Sequence, residues 1–308
     1  MLPAYRERLT IKELRERSET LQELLKECIV CPRECHAQRT EGKYGVCHST
    51  DEVMISSASP HYGEEPPLVG LHGSGTIFFT SCNLKCQFCQ NYEISQLHIG
   101  QSISTNRLAE KMLFLQRLGC HNINLVTPTH FVPQIVEALV VAVERGLSIP
   151  IVYNCGGYES VRTLKLLEDV IDIYMPDIKY SHDENARRYS GAKDYWEVVR
   201  PAVKEMQRQV GDLEIDERGV ALRGLLIRHL VLPNGIAGSK AVLDFISREV
   251  SMNTYVNIMD QYHPSHRASR YSELNRRITS KEFRDALNHA RRVGLHRGFE
   301  LVESLTHT

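Results

Sequence analysis

From position 76 onward, short runs of apolar residues alternate with longer stretches in which apolar side chains return every three or four positions. The runs "TIFFTS", "NINLVT", "IPIVYN", "DIYMPD", "RGLLIRHLVL" and "YVNIM" have the length and β-branched content of buried strands. Between them, Leu108, Met112 and Leu115 stop at Gly119, and Ile135, Leu139 and Val143 stop at Gly146, so each marks a helix that buries one face. Further helices fit Val161 to Leu167, Tyr195 to Val210 and Val242 to Val250. The last one opens on a capping box, Thr279 to Glu282, and ends at Gly294. Six βα repeats predict an α/β fold with a parallel sheet and helices outside it. Six are too few for a complete eight-stranded barrel and suit a partial (β/α)6 TIM-type barrel.

The pattern ahead of residue 76 is different. Ile11, Leu14, Leu21, Leu25 and Cys28 lie near helical spacing, which predicts an amphipathic helix over residues 5–28. The following "CIVCPRECHAQRTEGKYGVCHS" is turn-rich and short of apolar side chains, so a metal would supply the stability that a core cannot. Residues 51–75, with Pro60, Pro66, Pro67 and four glycines, read as an extended connection. Three units result: residues 1–50 with the N-terminal helix and four cysteines, residues 51–75, and the barrel with its C-terminal helix over 76–308.

Composition narrows the setting. With 37 basic and 38 acidic residues the net charge is −1, and no global field recruits nucleic acid or a membrane. The charged N-terminus has no signal-peptide core, and no apolar run approaches the ~20 residues of a membrane span. A cytoplasmic protein is expected. Nine cysteines in a reducing compartment need an explanation other than disulfides. Cys120 and Cys155 stand alone and read as small buried apolar residues.

The other seven form two groups. Cys28-x2-Cys31-x3-Cys35-x11-Cys47, flanked by His36 and His48, offers four ligands. They suit a closed zinc site or a second iron–sulfur cluster, and the spacing does not choose between them. Cys82-x3-Cys86-x2-Cys89 follows the first strand directly, which places it at the C-terminal mouth of the barrel, where barrel enzymes carry their active sites. Three thiolates suit a 4Fe–4S cluster with one iron free of protein ligands, a corner open to substrate or cofactor.

The loop Cys82-x3-Cys86-x2-Cys89 resembles the signature loop of radical S-adenosylmethionine (radical SAM) enzymes. "FFTSCNLKCQFCQNYEIS", "INLVTPTHF", "IPIVYNCGGY", "DIYMPDIKY" and "RHLVLP" resemble pyruvate formate-lyase activating-enzyme-like proteins, over residues 28 to about 294. The resemblance implies an oxidoreductase in which S-adenosylmethionine chelates the open iron. One electron, from a donor such as a flavodoxin or ferredoxin, then yields methionine and a 5′-deoxyadenosyl radical that abstracts hydrogen. In activating enzymes the hydrogen comes from a glycine of a partner protein.

The resemblance also implies site residues. Phe88 takes the position near adenine. The usual Gly-Gly-Glu motif is replaced by Thr127, Pro128, Thr129 and His130; Pro128 has no N–H, and either Thr127, Thr129 or a carbonyl contacts the cofactor amine or the group is a well-packed strand end. Asn154 or the glycines of "YNCGGY" would let backbone approach the ligand. Asn154, Met175 and Asp177 take the place of residues lining a monovalent cation site, with Asp177 the better ligand. Lys179 would neutralise a carboxylate, or pair with Asp177 at the strand end. Arg228 and His229 project to opposite faces, so at most one enters the barrel. His229 is expected to anchor ribose or carboxylate, or else to be a core histidine. Gln261 and Tyr262 are expected at the mouth, against adenine or substrate.

Two other readings stay open: a radical SAM enzyme acting on a small molecule or RNA, and a non-catalytic iron–sulfur electron carrier or zinc-binding protein. Residues 266–297 carry nine Arg or Lys against three Asp or Glu. Without an aromatic stacking motif, that segment reads as a solvated outer helix rather than an RNA dock.

Overall fold

All six apolar runs form strands, and they pair in parallel in chain order. The computed structural model describes residues 2–299; positions 300–308, included above in the barrel unit, lie outside the described residues. The strands are β1 (Val53–His61), β2 (Ser74–Phe79), β3 (Gln101–Ile103), β4 (Ile123–Val126), β5 (Ile151–Cys155), β6 (Ile173–Pro176), β7 (Glu214–Ile215), β8 (Ala221–Leu230) and β9 (Tyr255–Met259). The parallel series is β2-β4-β5-β6-β8-β9. Among the described residues no pairing joins β9 back to β2, so the barrel stays open. This is the partial barrel that six repeats predict.

Period-two alternation sorts the strand residues between two apolar clusters. Val152, Ile173, Met175 and Leu226 pack together inside the barrel with Leu68 from the short helix Pro66–Val69. Their neighbours Tyr153, Tyr174, Leu225 and Ile227 face the surrounding helices and join the large core. The helices Thr105–Arg117, Val132–Glu144 and Tyr195–Val210 bury one face each against that outer side.

Two expectations change, and one helix joins that the pattern did not announce. Residues 53–61 are not a mere connection: β1 pairs antiparallel with both β2 and β3 and extends the sheet. Pro60 and the strand's polar residues hid it, and a proline is tolerated near the strand end. The single helix over residues 5–28 is two, Ala4–Glu7 and Ile11–Glu23, because the Thr10–Glu13 capping box starts the second afresh. The helix Asp183–Ser190 carries too few apolar positions to announce itself. Among the described residues no helix is long and apolar enough to cross a membrane.

Candidate active site

Beyond the end of β2 the chain reverses through Ser81, a non-glycine residue at φ +68°. Its N–H donates to the Ile94 carbonyl at 2.8 Å, and its hydroxyl lies 2.8 Å from His98 Nδ1. The turn delivers Cys82, Cys86 and Cys89 to the barrel mouth, and all nine cysteines of the chain are free thiols. Each sulfur has a polar partner. The Leu84 N–H donates to Cys82 Sγ at 3.3 Å, the Ser190 hydroxyl to Cys86 Sγ at 3.0 Å, and Ser95 Oγ lies 3.1 Å from Cys89 Sγ. The loop rests on the helix Asp183–Ser190: Lys85 N–H donates to the Ser190 carbonyl and Gln87 N–H to that of Tyr189.

Burial pushes the Cys82 thiol up to about 12, with Cys86 beside it adding to the rise, and burial raises Cys86 as well. A cation among these sulfurs reverses that preference and makes them thiolates. Among the described residues no three His, Cys, Asp or Glu side chains converge as a ready-made metal site. The donor set nevertheless fits an iron–sulfur cluster: three thiols on one loop, with N–H and hydroxyl groups already directed at sulfur.

A cavity of about 230 Å3 opens beside Cys86 and Cys89. Phe88 and Gln261 line it, together with three charged side chains, Asp177, Lys179 and Arg228. Arg228 Nε donates to Asp177 Oδ1 at 2.8 Å, and Lys179 Nζ pairs with Asp177 Oδ2. Burial opposes ionisation of Asp177, but Arg228 and Lys179 outweigh it and hold its carboxyl below the ordinary range. Burial likewise works against the Lys179 charge, and Asp177 and Cys86 overcome it, so its pKa is raised. Arg228 also reaches Glu65 at 3.7 Å and Glu64 at 3.9 Å across the barrel interior. Burial raises the Glu64 carboxyl despite the guanidinium.

The sequence-derived residues divide around this cavity. Phe88, Asp177, Lys179 and Gln261 line it; Phe88 also meets Tyr262 edge-on at 5.8 Å. Tyr262 itself is buried, its hydroxyl donating to the Leu274 carbonyl. Asn154 borders the charged group, with Oδ1 accepting from Arg228 at 2.7 Å. Met175 belongs to the apolar barrel interior. Thr127 has φ +60°, and its N–H donates to the Asn154 carbonyl. Thr129 turns away: its hydroxyl donates to the buried Glu159 at 2.6 Å. His130 is buried too, its Nε2 2.8 Å from the Thr80 carbonyl.

His229 is held on the outer side of β8, between the Ile178 carbonyl at 2.7 Å and Ser239 Oγ at 2.8 Å. The strand alternation therefore sends Arg228, not His229, into the barrel. A buried arginine in a mostly apolar strand needs a buried acid, and Asp177, just past the end of β6, was the available signal. In "YNCGGY" Gly157, with φ +77°, allows a close backbone approach: a Cβ there would sit 2.3 Å from the Asp177 carbonyl.

The family model of the Radical SAM superfamily matches residues 76–212. The chain is 32% identical over 286 residues to the uncharacterized protein MJ0674 of Methanocaldococcus jannaschii, covering 90% of this chain and 78% of that one. It is 23% identical over 259 residues to MJ0808 of the same organism, covering 78% and 71%. Among solved structures, a radical SAM methyltransferase from Sphaerobacter thermophilus shares the fold with a TM-score of 0.50 at 11% identity, over 72% of this chain. The chain spans 64% of that methyltransferase, just under two thirds of its length.

Proposed function

The chain belongs to the radical SAM superfamily, in one family with MJ0674, and on that premise we propose that it cleaves S-adenosylmethionine reductively at the barrel mouth. Cys82, Cys86 and Cys89 would hold the 4Fe–4S cluster. When bound, the cluster supplies the electron that splits the sulfonium bond and starts hydrogen abstraction. The observation that carries this reading is the cavity itself, which joins Cys86 and Cys89 to a fixed Asp177–Lys179–Arg228 group.

An amino-acid cofactor brings one carboxylate and one amine into that cavity. Lys179 and Arg228 offer charge-assisted donors to the carboxylate, and Asp177 offers an acceptor to the amine N–H. Phe88 presents an aromatic surface for adenine, with Gln261 on the same wall as a hydrogen-bonding side chain. The Arg228 guanidinium lies between Asn154 and Asp177 and would take the role of the monovalent cation expected from the resemblance.

The proposed hydrogen donor is a glycine of a partner protein. Support comes from the sequence words shared with activating-enzyme-like proteins, beginning with "FFTSCNLKCQFCQNYEIS". Anaerobic reconstitution followed by dithionite and S-adenosylmethionine tests the chemistry: 5′-deoxyadenosine is the expected product. Its absence from protein with an intact cluster would return the chain to the electron-carrier reading. A glycyl radical signal in the paramagnetic resonance spectrum of a co-purified protein tests the donor. Deuterium appearing in 5′-deoxyadenosine from a labelled small molecule instead would overturn it.

A further inference from the structure

We infer that Cys28, Cys31, Cys35 and Cys47, although not converged as a ready-made site, close around a metal centre to form a second, fully ligated metal–thiolate site whose negative charge is balanced by the buried guanidinium of Arg39. Arg39 is 0% exposed, yet among the described residues it has no carboxylate partner. Nε and Nη2 donate to the Thr50 carbonyl, and Nη1 donates to the His130 carbonyl at 2.8 Å. The same Nη1 lies 3.8 Å from Cys28 Sγ, with the Phe131 ring 5.9 Å from the guanidinium carbon. Carbonyl dipoles satisfy the hydrogen bonds but leave the full charge unopposed in a dry interior.

The acceptor for that charge is the cysteine group. The backbone folds the segment onto itself: Cys28 N–H donates to the Ala37 carbonyl at 3.0 Å and His36 N–H to the Cys28 carbonyl at 3.1 Å, flanking Cys35, and Cys28, Cys31 and Cys47 are buried. Gly45 packs against two of the sulfurs: a Cβ there would sit 3.2 Å from Cys35 Sγ and 3.5 Å from Cys47 Sγ. Four thiolates around a doubly positive centre, either zinc or a 4Fe–4S core, leave two negative charges in excess. A buried cation against the ligand sphere meets that excess. The neighbouring histidines are engaged elsewhere. His36 pairs with Glu27 on the surface, and the His48 ring lies against those of Tyr44 and His98.

The test isolates this site in the full-length chain by replacing Cys82, Cys86 and Cys89 with Ala, with metal and sulfide measured after anaerobic preparation. Retention of stoichiometric metal, lost on adding Cys47→Ser, is the expected result. Zinc without sulfide, or iron with matching sulfide and visible thiolate-to-iron absorption, both meet the proposal and identify the centre. Absence of metal after reconstitution with zinc, or with iron and sulfide, would overturn it. For the charge, Arg39→Gln should speed metal loss to a chelator by about ten- to a hundredfold, while Arg39→Lys restores most of the retention. Circular dichroism checks that each variant is folded. Equal metal loss from both folded variants, or none from either, would remove Arg39 from the site.

Discussion

The two cysteine groups sit a few residues apart in space, yet their surroundings differ in kind. Arg33, between Cys31 and Cys35, donates to the carbonyl of Asn83, next to Cys82. On one side of that link, Cys86 and Cys89 face a cavity whose cations, Lys179 and Arg228, already have Asp177 as a counter-ion. On the other, Cys28, Cys31 and Cys47 are buried, and among the described residues Arg39 beside them has no carboxylate partner. An exchangeable ligand needs walls that are electrically balanced when it leaves. A permanent ligand can itself be the counter-ion.

The comparison breaks most visibly at the cysteines. Cys86→Ala should abolish 5′-deoxyadenosine formation, whereas Cys47→Ala should leave a measurable rate, both followed by chromatography of the product. Equal loss would make the two groups a single redox unit. Asp177→Asn comes next. It strands Lys179 and leaves Arg228 only the more distant Glu64 and Glu65, and a loss of about 3 to 5 kcal/mol in denaturant unfolding is expected. Because Asp177 and Lys179 are 16% and 21% exposed at the cavity, the low end of that range applies.

A third test uses Glu159, which is buried and accepts from Thr129 and Tyr153. Burial raises its pKa from 4.5 to about 7. Since the unfolded carboxyl ionises first, this residue makes stability fall as pH rises from about 4.5 towards 7, by at most about 3 kcal/mol. Glu159→Gln should flatten that part of the stability profile. The smallest effect is expected at the link itself. Arg33→Ala loses the bond to Asn83 and the contact over the Tyr158 ring, about 1 to 2 kcal/mol, seen as faster proteolysis within residues 28–50.

Much of this was legible in the linear chain. Parallel strands buried on both faces leave continuous apolar runs, so all six could be found, and "SCNLKCQFC" was placed correctly at the end of the first. β1 was not legible, because an antiparallel strand with Pro60 and polar residues lacks that signature. Nor could local pattern choose between Arg228 and His229. Alternation separates them but does not say which face is inward.

Residue order by itself therefore determined the repeat, the helix caps and the grouping of thiols, because each depends on neighbours within a few positions. Only the tertiary structure decided which charge meets which. Arg228 finds Asp177 across 51 positions and Arg39 meets the His130 carbonyl across 91. A buried charge is stabilised by whatever the fold brings within a few ångströms, whatever its distance along the chain.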